Sequence, residues 1–212
     1  MTDFNSKKYL SGKRRKVLFV VPPQQIVEHY GRLARFGARL PWMGMAYVVG
    51  AVQAVGHEVK LVDCETENIG FNKLKEIIRG FMPDVICSSA VITNIDRCIR
   101  VMHVGKDISS DIVTVLGGPQ VTIFPEKVFS ESVVDFIVIG EGEITMCEIL
   151  LHLDEINRLE QIQGIWFRKD GNIVKTQARE LIKDLDSILF PALGMYNMDN
   201  YYPAAYIWGK KV

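Results

Sequence analysis

Hydroxyl and amide side chains cluster in one short stretch, Ser88 to Asn94, directly after an apolar run. Ser88, Ser89, Thr93 and Asn94 could hydrogen-bond a buried heterocycle or a phosphate there, helped by the free backbone N–H groups of a following helix. The same residue types are also those that most often cap helices. The stretch therefore predicts either a ligand-binding loop or a capped helix start.

Two glycine-rich stretches follow later apolar runs in the same way. Gly117-Gly118-Pro119 could let the backbone approach a ligand closely, because glycine has no Cβ and tolerates positive φ, or it could form a plain tight turn. Gly140-Glu141-Gly142-Glu143 leads into a helical pattern, where its carboxylates suit the positive helix end. Its two glycines also favour a backbone packed near a cofactor.

A long connection follows the first apolar run. It begins at Pro22 and Pro23 and continues to Pro41 without clear periodicity, and connections of roughly this length are often functional. The sequence contains neither G-x-G-x-x-G nor G-x-x-x-x-G-K-[ST], so dinucleotide-binding and P-loop interpretations lose their main support. We expect this loop to cover a ligand or to form a partner surface.

The metal-binding residue types are scattered. The cysteines at 64, 87, 98 and 147 show no C-x-x-C spacing, which favours reduced and partly buried thiols in a cytosolic protein. The histidines at 29, 57, 103 and 152 include no pair at metal-ligand spacing. Only His29 lies near the expected ligand edge, and we predict no catalytic residue and no protein metal site.

Five β-branched runs alternate with helical patterns and must position these loops. Four runs are almost continuously apolar, as in strands buried on both faces, whereas Glu58–Asp63 alternates and could lie at an edge. The helices are predicted at Trp42–Val55, Phe71–Arg79, Ile95–Lys106 and Glu143–Asn157. This rhythm predicts a flavodoxin-like, Rossmann-like α/β fold, with a five-stranded parallel sheet of order 2-1-3-4-5 and its ligand at the carboxyl ends of the strands.

The pattern changes after Asn157. Two alternating runs flank Lys169-Asp170-Gly171, which predicts a β-hairpin. The mixed aromatic tail that follows predicts a linker or docking segment. We therefore expect an N-terminal tail (1–15), the α/β domain (16–158), a hairpin appendage (159–180) and a linker (181–212) toward a domain that this chain lacks.

The bulk composition is that of an ordinary globular protein. The 212 residues are 48% hydrophobic, and 25 basic residues balance 25 acidic ones, which gives no sign of a nucleic-acid or anionic-membrane surface. No apolar segment has the length of a signal peptide or membrane span. We expect a cytoplasmic chain with no nucleic-acid and no membrane partner.

Taken together, the loops and runs resemble the cobalamin-binding N-terminal domain of radical S-adenosylmethionine enzymes. The resemblance is carried by the order and spacing, from about Val17 to Leu193, of VLFVVPP, PWMGMAYVVGAVQAVGHEVKLVD, MPDVICSSAVIT, VLGGPQVTIFPE, VDFIVIGEGE, IQGIWFRKDGNIV and LIKDLDSILFPAL. It implies cobalamin at the carboxyl edge of the sheet. Such domains occur in methyltransferases and in oxidative cyclases resembling the anaerobic magnesium-protoporphyrin monomethyl ester cyclase.

The resemblance also implies which residues contact the cofactor. Ser89 and Thr93 match the residues that line the slot for the nucleotide tail, Val91 matches the small apolar residue between them, and Gly117 and Gly118 match a glycine pair beside the tail. The full predicted set of cofactor contacts is Pro22, Pro23, Ser88, Ser89, Val91, Thr93, Gly117, Gly118, Pro119, Gly140, Glu141, Gly142 and Glu143.

Two features depart from related patterns. The D-x-H-x-x-G motif that supplies a histidine as lower cobalt ligand is absent, since Val27 and Arg32 occupy its flanking positions around His29. We therefore expect cobalt bound without a protein imidazole. The C-x-x-x-C-x-x-C motif of a [4Fe–4S] cluster is also absent, so S-adenosylmethionine and the cluster are expected only in the domain that this chain lacks.

Three functions are compatible with these residues. The leading hypothesis is a cobalamin-binding module of a larger enzyme that catalyses methyl transfer or oxidative cyclisation. The alternative is a cofactor-free structural or docking domain of the same kind of enzyme. A nucleotide-binding enzyme that uses Asp63 to hold a ribose is the third, and the missing glycine fingerprint disfavours it.

Overall fold

A computed structural model describes residues 6–10, 12–23, 31 and 38–202. Within them, one sheet has the order β2-β1-β3-β4-β5-β6-β7. Its first five strands run parallel, and the last two are antiparallel to their neighbours. The strands are β1 (Lys16–Val21), β2 (Glu58–Asp63), β3 (Val85–Ser89), β4 (Val113–Gly117), β5 (Phe136–Val138), β6 (Ile165–Lys169) and β7 (Asn172–Lys175).

Seven α-helices connect or follow these strands in the described part of the chain. They are α1 (Met43–Ala54), α2 (Phe71–Phe81), α3 (Ile95–Ile108), α4 (Pro119–Ile123), α5 (Pro125–Phe129), α6 (Glu143–His152) and α7 (Ile156–Leu159). Helix α2 continues past Gly80, where the sequence predicts a stop, and ends at Phe81, with Met82 as its C-cap at φ 48°. Short 3-10 helices lie at Ser6–Tyr9, Leu185–Ser187, Leu193–Met195 and Met198–Asn200.

The predicted parallel order 2-1-3-4-5 is confirmed, and so is the edge position of β2. The hairpin is also present, with Asp170 and Gly171 both at positive φ, as a two-residue hairpin turn requires. Strand β6 pairs with β5 along Phe136–Val138. The hairpin therefore extends the sheet from five strands to seven.

Apolar side chains cover both faces of the sheet, as the continuous apolar runs predict. In β1, Val17, Phe19 and Val21 pack into one core with α1 and α6, whereas Leu18 and Val20 pack into the other core with α2 and α3. Alternate residues of a strand point to opposite faces. Both faces of the central strands are thus buried by helices. The carboxyl ends of the strands remain open, and a ligand site can form there.

Part of the sequence that bears on function lies outside the described residues. This holds for most of the loop after Pro23, including His29, and for residues 203–212. Within the part of the chain that is described, no helix combines the length and the apolar character needed to cross a bilayer.

Candidate functional site

A cavity of about 490 Å³ opens at the carboxyl ends of the central strands. Strands β3, β4 and β5 form its floor, and the beginnings of α1, α4 and α6 surround it. This is the edge at which ligands bind in open parallel α/β sheets. The lining residues are Phe19, Gly44, Met45, Val48, Cys87, Ser88, Ser89, Val115, Gly117, Gly118, Pro119, Thr122, Ile123, Val138, Gly140, Glu141, Gly142, Glu143 and Met146.

Most of the residues predicted from the sequence come together here, although they lie in three separate loops. Nine of them line the cavity: Ser88, Ser89, Gly117, Gly118, Pro119, Gly140, Glu141, Gly142 and Glu143. The other four do not: Pro22 and Pro23 are buried, Val91 is half-buried and Thr93 is exposed. A contact between these four residues and a cofactor stays a prediction.

The polar loop after β3 is held by its own hydrogen bonds. The Ser88 hydroxyl donates to the Val20 carbonyl (2.7 Å), and buried Asn94 accepts from the Val91 N–H through Oδ1 (2.8 Å). No side chain caps the start of α3, so capping does not explain this cluster. The Ser89 hydroxyl lines the cavity and has no hydrogen bond to any described residue.

The two adjacent glycines differ in whether the surrounding packing requires glycine. Gly118 has φ 94°, and a Cβ there would lie 2.6 Å from Ser89 Oγ and 2.8 Å from the Ala90 nitrogen. A Cβ at Gly117 would meet only Val138, at an ordinary 3.8 Å. Gly118 is therefore required by the packing of its turn against the β3 loop, whereas Gly117 has room for a methyl group.

The two glutamates of the G-E-G-E stretch differ in their surroundings. Glu141 accepts a hydrogen bond from the Ile182 N–H at 2.6 Å. One carboxyl oxygen of Glu143, Oε2, is buried and has no hydrogen-bond partner among the described residues. Burial raises the pKa of the Glu143 carboxyl, and the nearby Glu141 charge adds to this, against the opposing effect of backbone N–H groups at the helix start.

The apolar wall of the cavity comes from helices that the sequence motifs do not mark. Gly44, Met45 and Val48 belong to α1, and Met146 belongs to α6. A Cβ at Gly142 would approach Val48 Cγ2 to 3.1 Å, so this glycine permits the two helices to meet closely. The place of α1 in the chain could have predicted that it lines the site. It follows β1, whose carboxyl end lies at the switch point between β1 and β3, where ligands bind in such folds.

Residues 178–202, which we call the C-terminal strap, pack on this helical wall. The Ala192 N–H donates to the Ala46 carbonyl in α1 (2.9 Å), and a Cβ at Gly50 would lie 2.8 Å from the Phe190 carbonyl oxygen. Arg179 forms an ion pair with Glu148 of α6. The aromatic tail predicted to dock on something therefore docks, in its described part, on its own domain.

The strap also accounts for Asp63. The Tyr201 hydroxyl donates to Asp63 Oδ2 (2.5 Å), and Asp63 Oδ1 accepts from the N–H groups of Glu65 and Thr66 (3.1 Å each). Buried Asp63 is thus occupied by protein donors. This removes the main residue of the nucleotide-binding hypothesis.

Comparison with known proteins identifies the domain. Residues 31–150, which include β2 to β5 and most of α6, match the family model described as the B12 binding domain. The chain belongs to the B12-binding domain family. The predicted resemblance and the predicted flavodoxin-like fold are confirmed. As a B12-binding domain, this chain has its cavity at the expected edge of the sheet.

Curated relatives of this B12-binding domain are longer proteins. An uncharacterized methyltransferase of Pyrococcus horikoshii is 31% identical over 191 residues, which cover 89% of this chain and 40% of the relative. The anaerobic magnesium-protoporphyrin IX monomethyl ester cyclase of Rubrivivax gelatinosus is 30% identical over 192 residues, 88% of this chain and 34% of that protein. The chain thus spans about two fifths of these relatives or less.

Solved structures share the fold of this B12-binding domain. The cobalamin-dependent S-adenosylmethionine radical enzyme OxsB, with aqua-cobalamin and S-adenosylmethionine bound, matches 88% of the chain with a TM-score of 0.68 and 17% identity. The radical S-adenosylmethionine methyltransferase TsrM of Kitasatospora setae, with cobalamin and a [4Fe–4S] cluster bound, matches 88% with a TM-score of 0.59 and 14% identity. The chain covers 25% and 34% of these two proteins.

The described residues of the B12-binding domain offer no protein metal centre. They contain no cluster of three or more histidine, cysteine, aspartate or glutamate side chains that could hold an ion. Cys87 lines the cavity, but burial raises the pKa of its thiol well above the ordinary value. His29 lies outside the described residues.

Proposed function

We propose that this domain binds cobalamin with the nucleotide tail of the cofactor inserted into the cavity between β3, β4 and β5. The observation that carries the proposal is the composition of the cavity. Its walls are largely apolar, and the Ser89 hydroxyl on its surface makes no hydrogen bond to a described residue. An apolar slot with a few polar groups is suited to a heterocyclic nucleoside.

The residues of this chain would hold and orient the tail. Gly117 lines the cavity without a side chain, so the ring can lie against the backbone. Met45, Val48 and Met146 would cover the ring on the helical side and exclude water. Ser89 would donate a hydrogen bond to a ring nitrogen or a sugar oxygen of the tail, and Thr93, Val91, Pro22 and Pro23 would contact parts of the cofactor outside the cavity.

We further propose that no protein imidazole binds the cobalt. The support is the absence of the D-x-H-x-x-G motif around His29. Replacing His29 by alanine should leave the visible spectrum of the bound cofactor unchanged. A shift of that spectrum toward a form without an imidazole ligand would contradict this part of the proposal.

The parent enzyme that we propose is a radical S-adenosylmethionine enzyme. Cobalamin in such an enzyme supplies the transfer of a methyl group or assists oxidative cyclisation, while the protein positions it. The names of the relatives, methyltransferase and cyclase, support these two reactions equally. S-adenosylmethionine and the [4Fe–4S] cluster would bind to a further domain that packs on the carboxyl edge of this sheet.

A visible-absorption titration of the chain with hydroxocobalamin tests the proposal. We expect saturable, stoichiometric retention after free cofactor is removed, with a shifted spectrum. The Ser89→Ala variant should bind more weakly by about 1 kcal/mol, the value of one hydrogen bond. Thermal unfolding of the same variant should be close to wild type, because the Ser89 hydroxyl makes no hydrogen bond to a described residue, and the bond that its carbonyl accepts from Asn94 is kept in the variant.

Failure to retain the cofactor would favour the cofactor-free docking domain. The exposed apolar side chains on the strap, above all Phe190, would then be its contact surface. The titration separates the two functions because a docking domain has no reason to bind a corrinoid.

A further inference from the structure

The C-terminal strap contacts two of the elements that line the cavity. The Ile182 N–H donates to Glu141, which lines the cavity just before α6 (2.6 Å). The Ala192 N–H donates to the Ala46 carbonyl of α1 (2.9 Å), one residue after the lining residue Met45. The strap therefore connects the loop that follows β5 to the helix that follows β1.

The strap also holds the chain where it enters α1. The Tyr196 hydroxyl donates to the carbonyl of Trp42, the residue directly before the helix (3.2 Å). Tyr202 and Arg39 exchange two backbone hydrogen bonds of 2.9 Å each. This entry leads directly to Gly44, which lines the cavity. The position of the α1 wall thus depends on contacts with the strap.

The strap itself has little buried surface. Among residues 178–202, all of which the structure describes, only Tyr196 is buried. The large apolar side chains of Leu181, Leu185 and Phe190 are exposed, that of Phe190 by 94%. A segment with few buried apolar contacts opens at a lower free energy than the core. Local opening of the strap therefore requires less free energy than unfolding of the sheet.

Gly50 marks the closest approach of the strap to α1. A Cβ at this position would lie 2.8 Å from the Phe190 carbonyl oxygen and 3.6 Å from the Ala192 nitrogen. Both are backbone atoms, so the strap has to move if a side chain is introduced. Gly50 does not line the cavity. Its substitution therefore releases the strap without changing a residue of the cavity surface.

We propose that attachment of the strap and occupation of the cavity are coupled: the attached strap positions the α1 wall for binding, and a ligand against that wall keeps the strap attached. A ligand that binds the attached form better shifts the equilibrium toward it. Occupation of the cavity thereby fixes the exposed apolar surface of the strap. The coupling is reciprocal, so release of the strap weakens binding by the factor by which the ligand suppresses release. This inference rests on the proposed function, because it concerns the same ligand.

Hydrogen–deuterium exchange of the 212-residue chain measures opening of the strap. The backbone N–H groups of Ile182, Ala192 and Tyr202 donate to the rest of the domain, so peptides that contain them report detachment. Exchange is compared without ligand and with hydroxocobalamin at about 100 times its dissociation constant, which the visible titration supplies. The β6–β7 hairpin is the internal reference, because it contributes no residue to the cavity.

Two matched variants complete the experiment. Gly50→Ala introduces the Cβ that displaces the strap, and Gly80→Ala makes the same change in α2, where a Cβ would meet nothing within 4 Å. Both replace a glycine inside a helix by alanine, so any gain in helix propensity is similar. If Gly50→Ala unfolds, Tyr196→Phe replaces it, because it removes the hydrogen bond to the Trp42 carbonyl.

We expect hydroxocobalamin to slow exchange of the wild-type strap about 5-fold to 100-fold, the upper value being the limit when the detached form does not bind. Exchange of the hairpin should not change. Gly50→Ala should speed exchange of the strap without ligand and should weaken hydroxocobalamin binding by a factor similar to the protection seen in wild type. Gly80→Ala should match wild type in exchange of the strap and in affinity.

Failure of the inference is distinguishable from failure of the proposed function. Wild-type protein that does not retain hydroxocobalamin removes both. Wild-type protein that binds it while exchange of the strap stays as fast as without ligand, or slows only as much as exchange of the hairpin, leaves the proposed function standing and overturns the coupling. A released strap in Gly50→Ala with unchanged affinity overturns the coupling as well.

Discussion

Replacing Gly118 by alanine should destabilise the domain far more than replacing its neighbour Gly117. Gly118 has φ 94° and ψ 176°, a backbone region that costs a residue with a Cβ about 1–3 kcal/mol. The new Cβ would also lie within 2.8 Å of the Ala90 nitrogen and oxygen, which are backbone atoms. These atoms form the bonds from Ala90 N to Gly117 O (2.8 Å) and from Gln120 N to Ala90 O (3.0 Å).

Strain and displacement together predict a loss of about 2–4 kcal/mol in the free energy of unfolding. Urea denaturation followed by circular dichroism measures this loss directly. Gly117→Ala is the matched control: its Cβ would make an ordinary 3.8 Å contact with Val138, and it should stay within about 1 kcal/mol of wild type. Equal unfolding free energies for the two variants would refute the argument that packing of the turn requires Gly118.

Three further predictions concern the strap and the opposite edge of the sheet. Gly50→Val should detach the strap from α1, because its Cβ would meet the Phe190 carbonyl at 2.8 Å, and protease cleavage within residues 178–202 should become faster than in wild type. Tyr201→Phe removes the hydrogen bond to Asp63 and should cost about 1 kcal/mol in urea denaturation. Burial lowers the pKa of the His57 imidazole in the folded state. The contribution of His57 to the free energy of unfolding is therefore present above about pH 6.5, the unfolded-state pKa, and decreases as the pH falls toward the lower folded-state pKa. Between pH 7 and 5, the His57→Asn variant should lose less stability than wild type in the same assay.

The motifs in the sequence predict the three loops of the site because parallel strands end at a common edge. Once Ser89, Gly117 and Gly140 are each placed after a buried strand, the sheet order brings them to one edge without further information. The hairpin turn at Asp170-Gly171 is local chemistry and is equally readable. The sequence does not show which strand the hairpin pairs with, because its pairing with β5 is a contact between residues that are distant in the chain.

The sequence by itself determines the fold and the edge that carries the site, since periodicity and loop order are properties of the chain, and its motifs carry the resemblance to cobalamin-binding domains. Tertiary structure decides what each site residue does. Of the two adjacent glycines, packing requires Gly118 but leaves room for a methyl group at Gly117. Glu141 accepts a hydrogen bond from the strap, whereas Oε2 of Glu143 has no partner among the described residues. These differences arise because burial and hydrogen bonding depend on the neighbours that folding brings together. The apolar wall from α1, and the strap that holds it, become visible only when those distant segments meet.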